Sequence, residues 1–530
     1  MLRRIMAFAV IFFLGLLFSS YPEALPPSEL PWTEIDFNQM VFDPPPLEAG
    51  GHNLPSLATP AGAHWRYYPV YNIQAAYDPV RGEIRGELLL AYQNPYLDSL
   101  RRLYFNLPAN APFGNGAQLT VQRVAVNKRP AVFNLQGSSL EVVLPRSLAP
   151  RETLTLALSF NTSVPAGGGR LGCSGDTITA AGWYPLLAPR SGDAPAGVTA
   201  GVNSYSTSRP LRLNQHAPAG LASSQQAVPD SQGAQIANQP APAGVAATSY
   251  GEPYFAPAAY YQVRLTLPAG YQVLAAARTT GRMEGDGRTT WTFNSDYPVR
   301  EFAFVAAPDW QFTTRQAGNV QLVAAARGEP AGEALATAAQ ALAFFQAIYG
   351  PYPYSYLHLA FVPLDNLAGM EYPGLILLSN RKVYRPSTVI HEIAHQWWYN
   401  LVGNDSCRAA WIDEGLAEYS TLLFYREYDP ALYRVRLAEV ERLAGRSSLP
   451  VNLSLEEYGR EESYRQAVYS RGAQFWLRME AAAGTTQLHK ALAYIQQYYR
   501  YEIVPADSLL LILTYYGRLQ AADFTPFLGN

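Results

Sequence analysis

The chain has 530 residues, of which 48% are hydrophobic and 15% are charged. This balance is typical of globular proteins and excludes an intrinsically disordered chain, and the length predicts about two to four domains. The formal net charge is −3, and no basic stripe of the kind that binds nucleic acid is present. We therefore expect a multidomain globular protein without a nucleic-acid partner.

The N-terminus has the pattern of a targeting segment. Arg3 and Arg4 precede an apolar run from Ile5 to Phe18, which is short for a membrane span but suits the core of a signal peptide. A clean cleavage site does not follow, so an uncleaved membrane anchor stays open beside a signal peptide for residues 1–20. Residues 21–63 form a Pro-rich linker. Both alternatives predict an exported protein, either secreted or anchored on the outer side of the membrane.

Residues 64–312 are predicted to form a β-rich N-terminal domain. Residues 71–77, 83–92 and 261–267 alternate between apolar and polar side chains and are bounded by Pro, Gly and Asn, as expected for half-buried strands. Between about 190 and 250 the chain is rich in Ala, Gly, Ser, Pro and Gln. That composition buries little apolar surface, so we expect a flexible insert there.

Residues 313–530 change to a mixed and then mostly helical pattern. A helix is predicted from Ala331 to Ile348, and residues 357–362 and 375–378 are predicted strands. A helix should follow from Pro386, with Gly403 as its stop, and another from Asp413 to about residue 428.

The most specific pattern is His391-Glu392-Ile393-Ala394-His395, followed after eighteen residues by Glu414. Histidines four residues apart lie on the same side of a helix and can bind one zinc ion, with Glu414 as the third ligand and Glu392 facing a water. Alternatively, the helix carries two solvated histidines and Glu414 caps the next helix. The apolar residues around both histidines favour the metal site, because buried imidazoles without partners are costly.

Three motifs in this order resemble the M1 family of zinc aminopeptidases, which are gluzincins. They are HEIAH at 391–395 with Glu414, AGMEY at 368–372, and YSRG at 469–472. The resemblance implies a saddle-like β-rich N-terminal domain followed by a thermolysin-like α+β zinc-peptidase domain with a helical C-terminal part. It also implies a short form without the family's large C-terminal helical-repeat domain. The family pattern differs at Ala368 and Tyr372, where it has Gly and Asn.

The resemblance also implies a role for each site residue. One zinc ion per chain is held by His391, His395 and Glu414, and Glu392 is the general base. Tyr469 donates a hydrogen bond to the oxyanion of the tetrahedral intermediate.

The AGMEY segment at 368–372 implies a substrate-binding site. By this resemblance Gly369, Met370 and Glu371 line that site, and the carboxylate of Glu371 binds the N-terminal ammonium group of the peptide substrate. The expected activity is removal of N-terminal residues from peptides.

Several alternatives stay open at this stage. The same zinc site could serve an endopeptidase, or the chain could be an exported binding protein whose site has lost catalysis. Glu418, one turn after Glu414, either orients a zinc ligand or is solvated. Cys173 and Cys407 could pair in an exported protein, but their proximity cannot be derived from the sequence. The oligomeric state is not predicted.

Overall fold

The structure is a computed structural model that describes residues 68–112, 115–189 and 248–529. The predicted targeting segment, the Pro-rich linker and nearly all of the predicted insert at about 190–250 lie outside these residues. Within the described ranges, no helix combines the length and the hydropathy that a bilayer span requires.

The first part of the chain is built from strands, as the alternating patterns predict. In chain order they are β1 (Val70–Asp78), β2 (Glu83–Gln93), β3 (Leu100–Asn106), β4 (Leu119–Val126), β5 (Arg129–Pro130), β6 (Phe133–Gln136), β7 (Ser139–Leu148), β8 (Thr153–Ser163), β9 (Leu171–Ser174), β10 (Thr177–Ala180), β11 (Leu186–Leu187), β12 (Tyr260–Pro268), β13 (Gln272–Ala275), β14 (Arg278–Gly285), β15 (Arg288–Asn294) and β16 (Phe304–Ala307). A short 3₁₀ turn, Pro108–Asn110, follows β3.

These strands form three sheets. The largest has the order β14-β15-β12-β1-β2-β8-β4-β5, and the others have the orders β13-β16-β10-β9 and β11-β3-β7-β6. Large aromatic side chains fill the space between them: Trp183 is fully buried, and the rings of Tyr71 and Tyr261 stack with centroids 4.8 Å apart. The period-two pattern is the cause, since it turns one face of each strand toward this core.

The second part begins with a mixed sheet. Its strands are β17 (Gln311–Ala317), β18 (Val320–Ala326), β19 (Tyr356–Val362), β20 (Gly369–Met370) and β21 (Leu375–Ser379), in the order β17-β18-β19-β21-β20. The predicted domain boundary at 312/313 falls inside β17, so this sheet starts slightly earlier than the boundary. β20 is an edge strand of this sheet that pairs with β21, and Glu371 follows it directly.

Helices make up most of what remains. They are α1 (Ala331–Tyr349), α2 (Pro386–Ala394), α3 (Ser406–Ala409), α4 (Asp413–Tyr428), α5 (Pro430–Ala444), α6 (Glu461–Tyr464), a π-helix (Arg465–Arg471), α7 (Gly472–Ala483), α8 (Thr485–Tyr498), α9 (Ala506–Tyr515) and α10 (Ala521–Phe524). A second 3₁₀ turn, Glu456–Tyr458, precedes α6.

The predicted stop of the histidine helix is wrong. α2 ends at Ala394, well before Gly403, and His395 is its C-cap residue with helical backbone angles. The chain then turns, with a positive φ of 130° at Tyr399. The buried Arg300 holds this turn, because its guanidinium donates to the carbonyls of Tyr399 (3.1 Å) and Asn400 (3.2 Å). A tertiary contact to the β-rich part thus holds the turn that follows the helix.

The structure also gives the positions of the two cysteines and of Glu418. Cys173 lies in β9 and Cys407 in α3, and their thiols are not joined in a disulfide. The carboxylate of Glu418 binds Arg436 of α5 at 3.3 Å, so Glu418 forms an ion pair between helices and does not orient a metal ligand.

Candidate active site

The last turn of α2 carries the first two candidate ligands. Val389, Ile390 and Ile393 bury one side of the helix, which leaves the histidines on the side that faces the site. The Nε2 atoms of His391 and His395 are 3.1 Å apart. The Nδ1 atom of His395 lies 2.9 Å from the carbonyl oxygen of Trp398.

The third candidate ligand comes from the first turn of α4. The Oε2 atom of Glu414 lies 3.1 Å from Nε2 of His391 and 3.2 Å from Nε2 of His395. The carboxylate is buried, with 6% of the residue exposed. The structure thus brings together three residues from two helices, as the spacing of the motif predicts.

These three groups fit a zinc ion. The carbonyl of Trp398 can only accept a hydrogen bond, so Nδ1 of His395 donates and Nε2 of the neutral ring presents a lone pair. That lone pair faces the Glu414 carboxylate, which is also an acceptor, so either a metal ion between them or a proton on Nε2 satisfies both groups. Ligands of a tetrahedral zinc, at roughly 2.0 to 2.2 Å from the metal, are about 3.3 Å or slightly more from one another. The separations of 3.1 and 3.2 Å are close to that value.

A contact between two glycines places Tyr469 against Glu414. A Cβ on Gly415 of α4 would lie 3.2 Å from Cα of Gly472, at the start of α7, so a larger residue would push the helices apart. The π-helix before Gly472 then brings the hydroxyl of Tyr469 to Glu414 Oε1, to which it donates a hydrogen bond. The ring of Tyr469 stacks on His391, with centroids 5.9 Å apart. Gly472, the last residue of the YSRG motif, therefore helps to position Tyr469, its first residue.

Glu392 lies beside the ligands without joining them. Its carboxylate packs against the backbone of Gly369, where a Cβ would come within 2.8 Å of the Glu392 Cδ atom. The Oε2 atom of Glu392 is buried and has no hydrogen-bond partner among the described residues. Burial, and then the charge of Glu371, raise the pKa of Glu392 well above its usual range. A carboxylate in this environment is a stronger base than one in water.

Glu371 completes the group. Ligand atoms of Glu371, Glu392 and His395 all lie within 4.8 Å of one another. The segment after β20 is held by Gln396, whose side-chain amide donates to the carbonyls of Glu371 and Tyr372, each at 3.3 Å, and accepts from the Gly374 N–H at 2.9 Å. Gln396 is fully buried, and no spacing in the sequence indicates this function.

Met370 does not face the site with its side chain. It is 3% exposed and packs in a hydrophobic cluster with Tyr372 and Leu377. A role of Met370 in substrate binding would therefore use its backbone on the edge strand. The structure adds to the predicted substrate-binding role of Gly369 that its missing side chain leaves space for the Glu392 carboxylate.

The β-rich part adds a buried ion pair that the sequence does not indicate. Arg170 pairs with Glu252, and both are almost completely buried. Burial raises the pKa of Glu252 and the charge of Glu371 adds to the rise, whereas Arg170 opposes it. Both parts of the chain thus contribute charged groups that act on the candidate site.

A two-histidine, one-glutamate donor set beside a separate carboxylate defines the class of mononuclear zinc hydrolases with a gluzincin site. Residues 333–523 match the model of the peptidase family M1 domain. The match includes the candidate ligands, Glu371, Glu392 and Tyr469.

Known proteins with similar sequences are aminopeptidases. The chain is 25% identical to mouse aminopeptidase B over 287 residues, which is 49% of this chain and 43% of that protein. It is 26% identical to human aminopeptidase RNPEPL1 over 284 residues, which is 49% of this chain and 38% of that protein. The alignments therefore span less than half of the length of these relatives.

Solved structures show the same fold. The chain superimposes on the M1 zinc metallopeptidase from Deinococcus radiodurans with a TM-score of 0.61 and 19% identity, covering 87% of this chain and 92% of that one. A two-domain M1 zinc metallopeptidase bound to L-arginine gives a TM-score of 0.63. The predicted architecture, a β-rich N-terminal domain followed by a metallopeptidase domain with a helical C-terminal part, is confirmed.

Proposed function

We propose that this protein is a zinc-dependent aminopeptidase that removes residues from the free N-termini of peptides. The observation that carries the proposal is the position of Glu371, whose carboxylate lies within 4.8 Å of Glu392 and of the candidate ligand His395. In an aminopeptidase the scissile bond is the first of the substrate, so the α-ammonium group must be close to the metal. A buried carboxylate at this distance is suited to bind it.

The candidate ligands His391, His395 and Glu414 would hold the zinc. When bound, zinc supplies a Lewis acid that polarises the scissile carbonyl and makes a water molecule more acidic. Glu392 accepts the proton of that water and then donates it to the leaving amine. The hydroxyl of Tyr469 donates a hydrogen bond to the oxygen that becomes negative in the transition state, at the cost of its present bond to Glu414.

Hydrolysis of free and blocked peptides tests the proposal directly. We expect rapid cleavage of the first bond of a free-amine peptide, slow cleavage of the N-acetylated peptide, and about one zinc per chain in the same sample. Cleavage of both peptides at equal rates would indicate the alternative endopeptidase. A zinc-loaded protein that binds peptides but cleaves neither would indicate a binding protein with a retired site.

Replacement of Glu371 should affect free-amine substrates selectively. A charge-assisted hydrogen bond is worth roughly 1.5 to 3 kcal/mol, so Glu371→Ala should lower kcat/KM for free-amine peptides by about one to two orders of magnitude. The slow cleavage of blocked peptides should hardly change, because they have no ammonium group. Glu418→Ala is a matched control, since Glu418 binds Arg436 away from the site. Equal losses on both kinds of peptide would contradict the role of Glu371.

Gly369→Ala tests whether the glycine makes space for the base. The added Cβ would overlap the Glu392 carboxylate and displace it. Displacement of a catalytic group by about 1 Å can cost up to about 10²-fold in rate, so we expect kcat to fall by about tenfold or more. Zinc content should be unchanged, because the three atoms nearest to the added Cβ all belong to Glu392, which is not a candidate ligand. Gly281→Ala in β14, where the nearest atoms would be 3.6 Å from the new Cβ, controls for substitution of a strand glycine. Full activity of Gly369→Ala would show that Glu392 does not need its present position.

We also propose export, as a secreted protein or one anchored on the outer side of the membrane. Its support is the charged and apolar pattern of residues 1–18, followed by the Pro-rich segment. Fractionation of expressing cells, with N-terminal sequencing of the recovered protein, tests this. Recovery of the intact chain from the cytosol would contradict export.

A further inference from the structure

We propose that a cleft between the β17–β18–β19 part of the mixed sheet and strands β13 and β14 binds a neutral saccharide. The cleft has a volume of about 610 Å³, which lies within the roughly 300 to 1,000 Å³ typical of small-ligand sites. It is lined by residues of β17, β18 and β19 and by Leu274, Arg278 and Thr279 of the β-rich part. Glu371 follows β20 at the opposite edge of the same sheet, so the cleft is separate from the candidate active site.

One face of the sheet supplies a set of side chains to this cleft. Strand pairing places Gln316 opposite Gln321 and Gln321 beside Tyr356. In the same way, Val323 lies beside His358. Paired residues, and residues two positions apart in a strand, project from the same face of a sheet. Two side-chain amides, a phenol ring and an imidazole therefore meet on one face, and all of them line the cleft.

The two rings of this set are held in place by the β-rich part. The hydroxyl of Tyr356 donates to the carbonyl of Ala276 at 3.1 Å, and Nδ1 of His358 lies 2.8 Å from the carbonyl oxygen of Ala275. Both ring residues are buried. A ligand that contacts them does not have to order them first, which lowers the entropic cost of binding.

The Nε2 atom of His358 is an acceptor that points to a ligand. The carbonyl of Ala275 can only accept, so Nδ1 carries the hydrogen. Burial lowers the pKa of His358 to about 4, so the ring is neutral near pH 7 and Nε2 presents a lone pair. This atom has no hydrogen-bond partner in the described part of the chain, although the residue is only 9% exposed. A ligand in the cleft that donates a hydrogen bond would satisfy it.

The remaining lining selects a neutral ligand with many hydroxyl groups. Arg278 brings a charge to the cleft, but its Nε pairs with Asp296 at 3.3 Å. The amides of Gln316 and Gln321 both donate and accept hydrogen bonds, and hydroxyl groups do the same. The fixed ring of Tyr356 offers an apolar surface to the C–H face of a sugar ring.

An extended peptide fits this cleft less well. Peptides that add a strand to a sheet bind at its edge, where backbone groups are unpaired. β18 lies between β17 and β19, so its backbone groups are already paired on both sides and the face offers side chains alone. Clustered hydroxyl groups match such side chains better than a peptide backbone does.

Saturation-transfer NMR on the full-length protein tests the proposal. The probes are cellobiose and N,N′-diacetylchitobiose, with N-acetylglycylglycine amide as a neutral peptide. We expect transfer to at least one disaccharide and none to the peptide. Gln321→Ala removes an exposed amide, and His358→Asn keeps an N–H donor for Ala275 but removes Nε2. Each should weaken saccharide binding by about two- to tenfold, the effect of one hydrogen bond between neutral groups.

Gln497→Ala is the matched control, because Gln497 is an exposed glutamine of α8 outside the cleft, and this variant should bind like the parent. Thermal unfolding verifies that each variant is folded, and Gln321→Ala keeps the test decisive if His358→Asn does not fold. No transfer to either disaccharide, equal transfer to the peptide, or undiminished binding in Gln321→Ala and His358→Asn would overturn the proposal. The measurement needs no catalysis, so its outcome is independent of the proposed function.

Discussion

Glu392→Gln should abolish nearly all peptide hydrolysis and keep the tightly bound zinc. The amide has the same shape as the carboxylate but cannot accept the proton of the attacking water. General acid–base groups contribute about 10²- to 10⁴-fold, and we expect kcat to fall by that factor. The tight zinc should remain, since His391, His395 and Glu414 are all intact in this variant.

The measurement is kcat on a free-amine peptide, with tight zinc per chain determined on the same preparation. Glu418→Gln removes a carboxylate from α4 outside the site and should retain the parent rate. A Glu392→Gln variant with near-normal activity would show that another group is the base. Loss of the tight zinc together with activity would mean that Glu392 contributes to the metal site itself.

Tyr469→Phe should have the second-largest effect. Its hydroxyl is the hydrogen-bond donor that the Gly415–Gly472 contact brings to Oε1 of Glu414. Removal of one oxyanion donor costs on the order of 3 kcal/mol, so kcat should fall by about 10²- to 10³-fold. Because this hydrogen bond forms chiefly in the transition state, KM should change little.

The neighbouring Tyr464 provides a matched control. It lies five residues earlier, its ring packs edge-on against Tyr469, and its buried hydroxyl has no hydrogen-bond partner among the described residues. Tyr464→Phe removes the same group and should leave kcat almost unchanged. If Tyr469→Phe alters zinc affinity but not kcat at saturating zinc, the hydroxyl orients Glu414 and does not stabilise the oxyanion. If thermal stability alone changes, Tyr469 is a core aromatic.

Residues that are close in the sequence determined many of the strands and helices and the common face of the two candidate histidine ligands. The spacing of His391 and His395 corresponds to about one helical turn, so the two imidazoles face the same side whatever surrounds the helix. The period-two runs of the N-terminal part became β1, β2 and β12, and the helix expected from Asp413 to about residue 428 is α4. These predictions depend on residues that are close in the sequence, where side-chain periodicity decides which face is buried.

The tertiary structure alone decided how the separate segments meet. The turn after α2 is held by Arg300, which lies about a hundred residues earlier in the sequence. The Glu392 carboxylate packs against the backbone of Gly369, and the hydroxyl of Tyr469 reaches Glu414 because two glycines touch. The charge of Glu252 acts on Glu392 from the β-rich part. Packing between distant segments has no period in the sequence, because each contact depends on the shapes of both partners. A single sequence therefore predicts which groups do the chemistry better than it predicts what holds them in place.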